Sequence, residues 1–144
     1  MMTFFSSSEK NIDRAALILR LVLAAVFIGH GYQKLFQYGI GGVTQGFVGM
    51  GIPMATITAR LISVLEFFGG IAILFGAFTR VIALLLACDM LGAMIFVHIK
   101  GGFFAPKGVE HVLGNFAMAL ALVLIGAGAY SIDAMLSRRG APTP

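Results

Sequence analysis

The sequence predicts an all-α integral membrane protein, a four-helix transmembrane bundle, and two observations carry that prediction. The first is composition: 59% of the 144 residues are hydrophobic, only 11% are charged, and the mean hydropathy is +0.97. Soluble domains typically carry about 25% charged residues, so this chain has too little polar surface to stay dissolved. The second is the spacing of the remaining charges, which divide the chain into apolar blocks of membrane-spanning length.

Four apolar blocks bounded by charged residues predict four transmembrane helices. Arg14 and Lys34, for example, enclose 19 residues, and about 20 apolar residues cross a hydrocarbon core of about 30 Å as a helix. A helix satisfies its own backbone hydrogen bonds in lipid, so each block is expected to be helical. The approximate spans are 15–35, 57–76, 80–99 and 111–130, between a polar N-terminal tail (1–13) and a C-terminal tail (137–144).

The connections between the predicted spans differ in character. The second and third spans are joined by a tight turn at 76–80, whereas the connections at 37–55 and 101–108 are longer and rich in glycine. Four antiparallel spans place both longer connections on one side of the membrane, and such loops often carry function. Within the first connection, a short interfacial helix is expected to present four apolar side chains on one face: Val43, Phe47, Val48 and Met50.

Charge placement and cysteine content narrow the function classes. The ten Lys and Arg residues are spread along the chain, so no nucleic-acid partner is expected despite the net charge of +4. In a membrane protein, basic residues act as topology signals, and a small excess on one side favours both termini in the cytoplasm. The single cysteine, Cys88, excludes a disulfide within the chain and a dithiol redox motif.

Each predicted span contains one polar residue in an apolar run, namely Arg20, Glu66, Asp89 and Asn115 in chain order. An ionised side chain at the centre of a membrane helix costs about 2.5–3.5 kcal/mol, so these groups are expected to face the bundle interior and find partners. Counting residues from the span ends places Arg20 and Asp89 in the same layer, nearer the termini. We therefore expect a structural ion pair between Arg20 and Asp89.

A second polar layer is expected beside the two glycine-rich connections. Its members are His30, Lys34, Glu66, His98, Glu110, His111 and Asn115. Phe47, Phe103 and Phe104 are expected to roof this layer, which predicts a small-molecule site. Titratable groups in a partly dry site permit proton-coupled chemistry. Glu66, His98 and Glu110 are accordingly the candidate catalytic residues, and no metal site is expected.

Several motifs, in order along the chain, resemble the DoxX family of small four-helix membrane proteins. The motifs are Gly29–Leu35, Gly49–Pro53, Glu66–Gly70 with Phe75–Arg80, His98-x3-Gly102-Phe-Phe with Glu110, and Gly126–Asp133. The resemblance runs from about Arg20 to Leu136. It implies a bacterial inner-membrane protein with both termini in the cytoplasm, associated with membrane oxidoreductase systems. With the resemblance added, the candidate cofactor-binding residues are His30, Gly31, Lys34, Gly70, Gly102, Phe103 and Asn115.

The leading functional hypothesis is the membrane subunit of a quinone-linked oxidoreductase. A quinone ring would accept hydrogen bonds from His98 or Lys34, while Glu66 or Glu110 relays protons. The chain has no nucleotide-binding fingerprint and no cluster-forming cysteines, so electrons would come from a bound substrate or a soluble oxidoreductase partner. Three alternatives stay open: a b-type haem held by His30 and His98, a non-catalytic anchor or assembly partner, and a small-molecule transporter built as a homo-oligomer.

Overall fold

Every regular element in the computed structural model, which describes residues 8–139, is a helix, and this confirms the all-α class. We number the helices α1 to α6. The first, α1 (Glu9–Tyr32), continues without interruption into a wider, π-helical segment, Gln33–Tyr38. The others are α2 (Gly39–Gly49), α3 (Ala55–Phe75), α4 (Thr79–Gly101), α5 (Glu110–Ile125) and α6 (Ile132–Arg139).

Four helices, α1, α3, α4 and α5, form a ring in which each packs against the next around one apolar core. The core contains the fully buried side chains of Leu23, Phe27, Ile73, Leu86 and Leu122. Small residues such as Ala83 and Ala119 are completely buried, and they allow α4 and α5 to approach closely. The short helix α2 packs on the first half of α3 and closes one end of the ring.

The lengths of the helices bear on the predicted membrane spans. Within the described residues, α3 and α4, with 21 and 23 residues, are long and apolar enough to cross a membrane. The fourth predicted span, 111–130, extends too far, because α5 has 16 residues and ends before Gly126. Gly126 and Gly128 have φ angles of 80° and 73°, values that favour glycine and end the helix. The four-span membrane bundle stays a prediction.

The helices also extend into segments predicted as polar tails. Helix α1 begins at Glu9, inside the predicted tail 1–13, and an acidic residue in the first helical turn is favourable there. Helix α6 continues to Arg139, inside the predicted tail 137–144, and basic residues in its last turn are favourable for the same reason. The remaining parts of both predicted tails, 1–7 and 140–144, lie outside the described residues.

The short helix expected in the first connection is present as α2. Val43 and Phe47 are buried against Ala55 and Ala59 of α3. Val48 is instead 66% exposed, and Met50 follows the end of α2 and is 47% exposed, so the four apolar residues do not share one face. Helical geometry explains the difference, because Val43 and Phe47 are four residues apart whereas Val48 is offset by about 100° from Phe47.

Arg20 binds four main-chain carbonyl oxygens at the end of the bundle where the chain leaves α3. Its Nε donates to Ile73 O (2.9 Å) and its Nη2 to Leu74 O (2.7 Å). Its Nη1 donates to Ala127 O (2.9 Å) and Tyr130 O (2.8 Å), in the connection between α5 and α6. The last carbonyls of a helix have no partner within the helix, so the buried guanidinium supplies donors to Leu74 O, Ala127 O and Tyr130 O, while Ile73 O also accepts from Gly76 N (3.1 Å).

The predicted ion pair between Arg20 and Asp89 is wrong. The Arg20 side chain is 2% exposed and directs its donors to carbonyl oxygens, while Asp89 lines a cavity nearer the other end of the bundle. Counting residues from the span ends estimates depth along the membrane normal but not the direction in which a side chain points. Gly76 leaves room for the guanidinium, because a Cβ there would lie 2.8 Å from Arg20 Cζ.

Candidate functional site

A cavity of about 550 Å³ lies between α1, α3, α4 and α5, beneath α2 and the segment that follows it. Most of its lining is apolar, and a few polar groups converge on it, an arrangement typical of small-molecule sites. The polar side chains that line it are His30, Lys34, Thr58, Glu66, Asp89, His98, His111 and Asn115. The structure therefore brings together six residues of the predicted second polar layer: His30, Lys34, Glu66, His98, His111 and Asn115.

Lys34 and Glu66 form a salt bridge on one wall of the cavity, with 2.5 Å between Nζ and Oε2. The Glu66 side chain is only 5% exposed and that of Lys34 is 19% exposed. A charge pair with so little access to water interacts much more strongly than one at a wet surface. Each residue was selected separately from the sequence, but their pairing was not predicted.

Three polar cavity residues, Lys34, Glu66 and His98, lie in π-helical segments. A π-helical turn inserts an extra residue into a helix and rotates the side chains that follow it, and such turns occur often at functional sites. The sequence analysis missed all three segments, because neither composition nor hydrophobic spacing distinguishes them from ordinary helix. The segments are Gln33–Tyr38, Leu65–Gly69 and Met94–His98.

Asp89 lies on α4 and lines the same cavity as Glu66. Its Oδ2 atom is buried and has no hydrogen-bond partner among the described residues. Buried polar atoms are almost always paired. This oxygen is therefore available to a donor on a bound molecule, while the Asp89 side chain can also hydrogen-bond the neighbouring carboxyl group of Glu66 when one of the two carries a proton. The sequence analysis assigned Asp89 to the opposite layer of the membrane and so missed its place in this site.

Two histidines lie together at the end of the cavity nearest the 101–108 connection. The rings of His98 and His111 pack edge to face, with centroids 4.6 Å apart. The Nδ1 atom of His98 is 3.1 Å from Lys107 O, which fixes the orientation of the ring and leaves Nε2 as its other polar atom. A third histidine, His30, lines the cavity from α1.

Three predicted site residues lie outside the cavity lining, in or next to the 101–108 connection. Glu110 Oε1 accepts a hydrogen bond from Ala105 N (2.9 Å) and so braces this connection. Gly102 has a φ of 78° and forms a turn, and Phe103 is 53% exposed. The predicted roof of Phe103 and Phe104 is therefore wrong; of the three aromatic residues proposed for it, Phe47 lines the cavity.

Gly31 and Gly70 are packing residues at the contact of α1 with α3. A Cβ on Gly31 would overlap the main chain of Phe67, and one on Gly70 would lie 2.9 Å from Ile28 N. Neither glycine lines the cavity, so the structure does not support the cofactor contacts expected for them. Their role is to let α1 and α3 approach closely enough for the side chains of Lys34 and Glu66 to meet.

The segment between α2 and α3 also lines the cavity, which the sequence analysis did not predict. Met50, Ile52, Pro53 and Met54 contribute to it, and Met54 has a φ of 52°, uncommon for a residue other than glycine. A signal for this role was present, since this segment overlaps the Gly49–Pro53 motif that contributed to the family resemblance. Its apolar side chains cover the end of the cavity that α2 closes.

Comparison with known proteins places this architecture in a family. The sequence model of the DoxX family matches residues 15–99, more than half of the chain. The chain belongs to the DoxX family. The resemblance seen in the sequence motifs is thereby confirmed. The matched part of this DoxX protein includes six of the eight polar cavity residues: His30, Lys34, Thr58, Glu66, Asp89 and His98.

Curated relatives match over nearly their whole length. The chain is 35% identical over 139 residues to the inner membrane protein YqjF of Escherichia coli, covering 91% of this chain and 98% of YqjF. It is 32% identical over 114 residues to a Bacillus subtilis protein named "Putative oxidoreductase CatD", covering 79% of this chain and 82% of CatD. An uncharacterized Haemophilus influenzae protein is 36% identical over 129 residues, covering 87% of this chain and 92% of that protein. No solved structure matches this DoxX chain significantly.

Proposed function

We propose that the protein lies in the bacterial inner membrane, with α1, α3, α4 and α5 crossing the bilayer and both termini in the cytoplasm. The outer surfaces of these helices support this proposal, because they expose large apolar side chains that water would not solvate well. Leu61, Phe68 and Leu124 are 64%, 57% and 75% exposed. Two relatives are named inner membrane proteins, YqjF and YphA of Escherichia coli.

Helix lengths are compatible with four crossings. The 24 residues of α1 reach about 36 Å, enough for a hydrocarbon core of about 30 Å. The 16 residues of α5 reach about 24 Å, and local thinning of the bilayer accommodates a short span at modest cost.

A cysteine-accessibility experiment tests this topology. In a Cys88→Ser background, single cysteines replace Ala77 in the α3–α4 turn and Phe104 in the 101–108 connection. A membrane-impermeant maleimide added to intact spheroplasts is expected to label the cysteine at 104 and not the one at 77. Labelling of both positions, or of neither until the membrane is broken, would contradict the arrangement.

We infer that the cavity binds the ring of a quinone. The observation that carries this inference is the Lys34–Glu66 pair beside the unpaired Oδ2 atom of Asp89, in a largely apolar cavity of about 550 Å³. A quinone ring is flat and apolar with a carbonyl oxygen at each end, so it requires an apolar slot with hydrogen-bond donors. Lys34 and Asn115 line the cavity and carry such donors.

The carboxyl groups suit the protons of quinone reduction. A quinone takes up two electrons and two protons to become a quinol, and positioned side chains can transfer those protons. Glu66 and Asp89 both line the cavity and are the proposed proton carriers. Each takes up a proton from water and passes it to a carbonyl oxygen of the reduced ring, and Glu66 leaves its pair with Lys34 when it is protonated. The electrons are supplied by a soluble oxidoreductase partner, which makes this chain the quinone-binding membrane subunit of a redox complex.

Direct binding tests the proposal. The protein is purified in lipid nanodiscs and titrated with a water-soluble benzoquinone that lacks a tail, while its lipid extract is searched for copurified quinone by mass spectrometry. We expect saturable binding that Lys34→Met weakens by about tenfold, the loss of one charge-assisted hydrogen bond. Lys100→Met is the matched control, because Lys100 is exposed and does not line the cavity. Absence of saturable binding would reject the quinone site. The alternatives would then be a non-catalytic membrane anchor or assembly partner and a small-molecule transporter.

A further inference from the structure

The helices α3 and α4 diverge as they leave the turn that joins them. The second part of α3, Leu65–Phe75, packs along α4. The first part, Ala55–Val64, packs instead on α2 and α1. The wall between α3 and α4 is therefore closed near the turn and open farther along, at the level of the cavity.

The α4 side of this opening is formed by Cys88, Gly92 and Phe96. They are spaced by four residues, so they lie along one face of the helix, and all three line the cavity. Cys88 is nevertheless exposed, and Phe96 is 43% exposed. A Cβ placed on Gly92 would meet no other heavy atom within 4 Å. Residues that line a cavity and also reach the outer surface mark an opening in its side.

The α3 side of the opening has the same construction. Thr58 and Ile62 are one helical turn apart, line the cavity and are only partly buried. One further turn along, Glu66 lies inside the cavity and is buried. The opening is thus flanked mainly by apolar side chains, while the charged groups lie deeper.

We propose that this opening is a lateral portal to the lipid, in which the apolar tail of a quinone lies while its ring occupies the cavity. The proposal rests on the proposed function and narrows the substrate class to quinones with long alkyl or isoprenoid tails, taken up from the bilayer. Gly92 lies near the middle of α4, about 20 Å from its start at Thr79, at the depth of lipid tails. Because Gly92 has no side chain and the space beside it is open, this residue leaves room for a hydrocarbon tail and is the one that determines specificity for tailed quinones.

Filling the portal tests this specificity. In nanodiscs, Gly92→Phe is expected to weaken binding of a benzoquinone with a ten-carbon tail by about tenfold, because the new side chain occupies the open space in which the tail lies. Binding of the same benzoquinone without a tail is expected to weaken less than binding of the tailed one, since Gly92 lies at the opening and Glu66 lies deeper in the cavity. Gly92→Leu provides a smaller plug, and Gly114→Phe on α5 is the matched control, since Gly114 also has open space around it and lies outside the cavity lining. Equal loss for both quinones, or loss for neither, overturns the portal.

The native Cys88 provides a second test that does not depend on quinone binding. It is the only cysteine in the chain, so labelling reports on this position alone. We expect a maleimide with a long alkyl chain, dissolved in the nanodisc lipid, to label Cys88 at least about tenfold faster than a charged, water-soluble maleimide, because the opening faces hydrocarbon. Equal rates overturn the portal. Failure of every quinone to bind rejects the proposed function, whereas the labelling rates still decide whether the opening faces lipid.

Discussion

The Nζ atom of Lys34 lies 2.5 Å from Oε2 of Glu66 and joins α1 to α3 at the wall of the cavity. Both residues lie in π-helical segments, so two local departures from regular helix meet at one ion pair. Neither charge is well solvated, so the attraction between the two charges offsets the free-energy cost of removing each one from water. This pair is therefore a structural link and also the main charged feature of the proposed binding site.

Breaking the pair on one side is expected to destabilise the protein. Lys34→Met leaves the Glu66 carboxylate, 5% exposed, without its partner, and removal of one member of a buried ion pair costs about 3–5 kcal/mol. The partial exposure of Lys34 places the expected loss at the lower end, about 3 kcal/mol. The double variant Lys34→Met/Glu66→Leu removes both charges and is expected to recover most of the loss. Thermal unfolding in detergent measures both, and equal losses in the single and double variants would contradict a coupled pair.

Replacing Arg20 is expected to be among the most damaging single changes in the chain. Arg20→Ala removes the donor from three carbonyl oxygens, Leu74 O, Ala127 O and Tyr130 O, while Ile73 O keeps Gly76 N. Each unpaired buried acceptor costs about 1–3 kcal/mol. We expect little folded protein in membranes, measured by resistance to proteolysis. Arg14→Ala is the control, because Arg14 is exposed on the same helix.

Asp89→Asn separates the observed contacts of Arg20 from the ion pair that the sequence predicts. If Arg20 were paired with Asp89, this variant would destabilise the protein by about 3–5 kcal/mol. Because Arg20 donates to main-chain carbonyls instead, we expect Asp89→Asn to unfold within about 1 kcal/mol of wild type. A large loss of stability, measured by thermal unfolding, would instead support the predicted ion pair.

The close approach of α1 to α3 depends on Gly31. A Cβ at this position would overlap the main chain of Phe67, and a clash with backbone cannot be relieved by rotating a side chain. We expect Gly31→Ala to cost about 1–3 kcal/mol on thermal unfolding, as overpacking does. Gly29→Ala is the matched control, because Gly29 is on the same helix with open space around it, and alanine is favoured over glycine in helices by about 1 kcal/mol. Similar behaviour of the two variants would contradict the packing role.

The sequence was sufficient to predict that α1, α3, α4 and α5 exist, because charged residues are rare inside apolar helices and separate one from the next. It did not predict α6 or the start of α1 at Glu9. It was also sufficient to place Glu66, His98 and Asn115 near one another, since their depths follow from residue counts. The end of α5 was not predictable in the same way. It depends on the left-handed backbone of Gly126 and Gly128, and glycine is common throughout this chain.

The partners of the polar residues were harder to predict than their positions. Arg20 binds main-chain carbonyls. Because every residue carries such a carbonyl, no residue type in the sequence identifies the partners of Arg20. Asp89 was placed by depth alone, and depth does not determine which way a side chain faces around the helix axis. The π-helical segments add a further rotation that regular helical spacing does not include.

Glu66→Gln and Glu110→Gln distinguish the cavity from the connection next to it. The sequence proposes both glutamates as catalytic, but Glu66 lines the cavity whereas Glu110 accepts a hydrogen bond from Ala105 N. Glutamine retains an oxygen that can accept this bond, so Glu110→Gln is expected to leave quinone binding and quinone-dependent activity unchanged. Glu66→Gln removes the partner charge of Lys34 and a proposed proton donor, and loss of a general acid lowers rates by about 10²–10⁴-fold. Titration in nanodiscs and quinone reduction in membranes measure the two effects. Equal loss of activity in both variants would indicate that the proton path runs through the 101–108 connection.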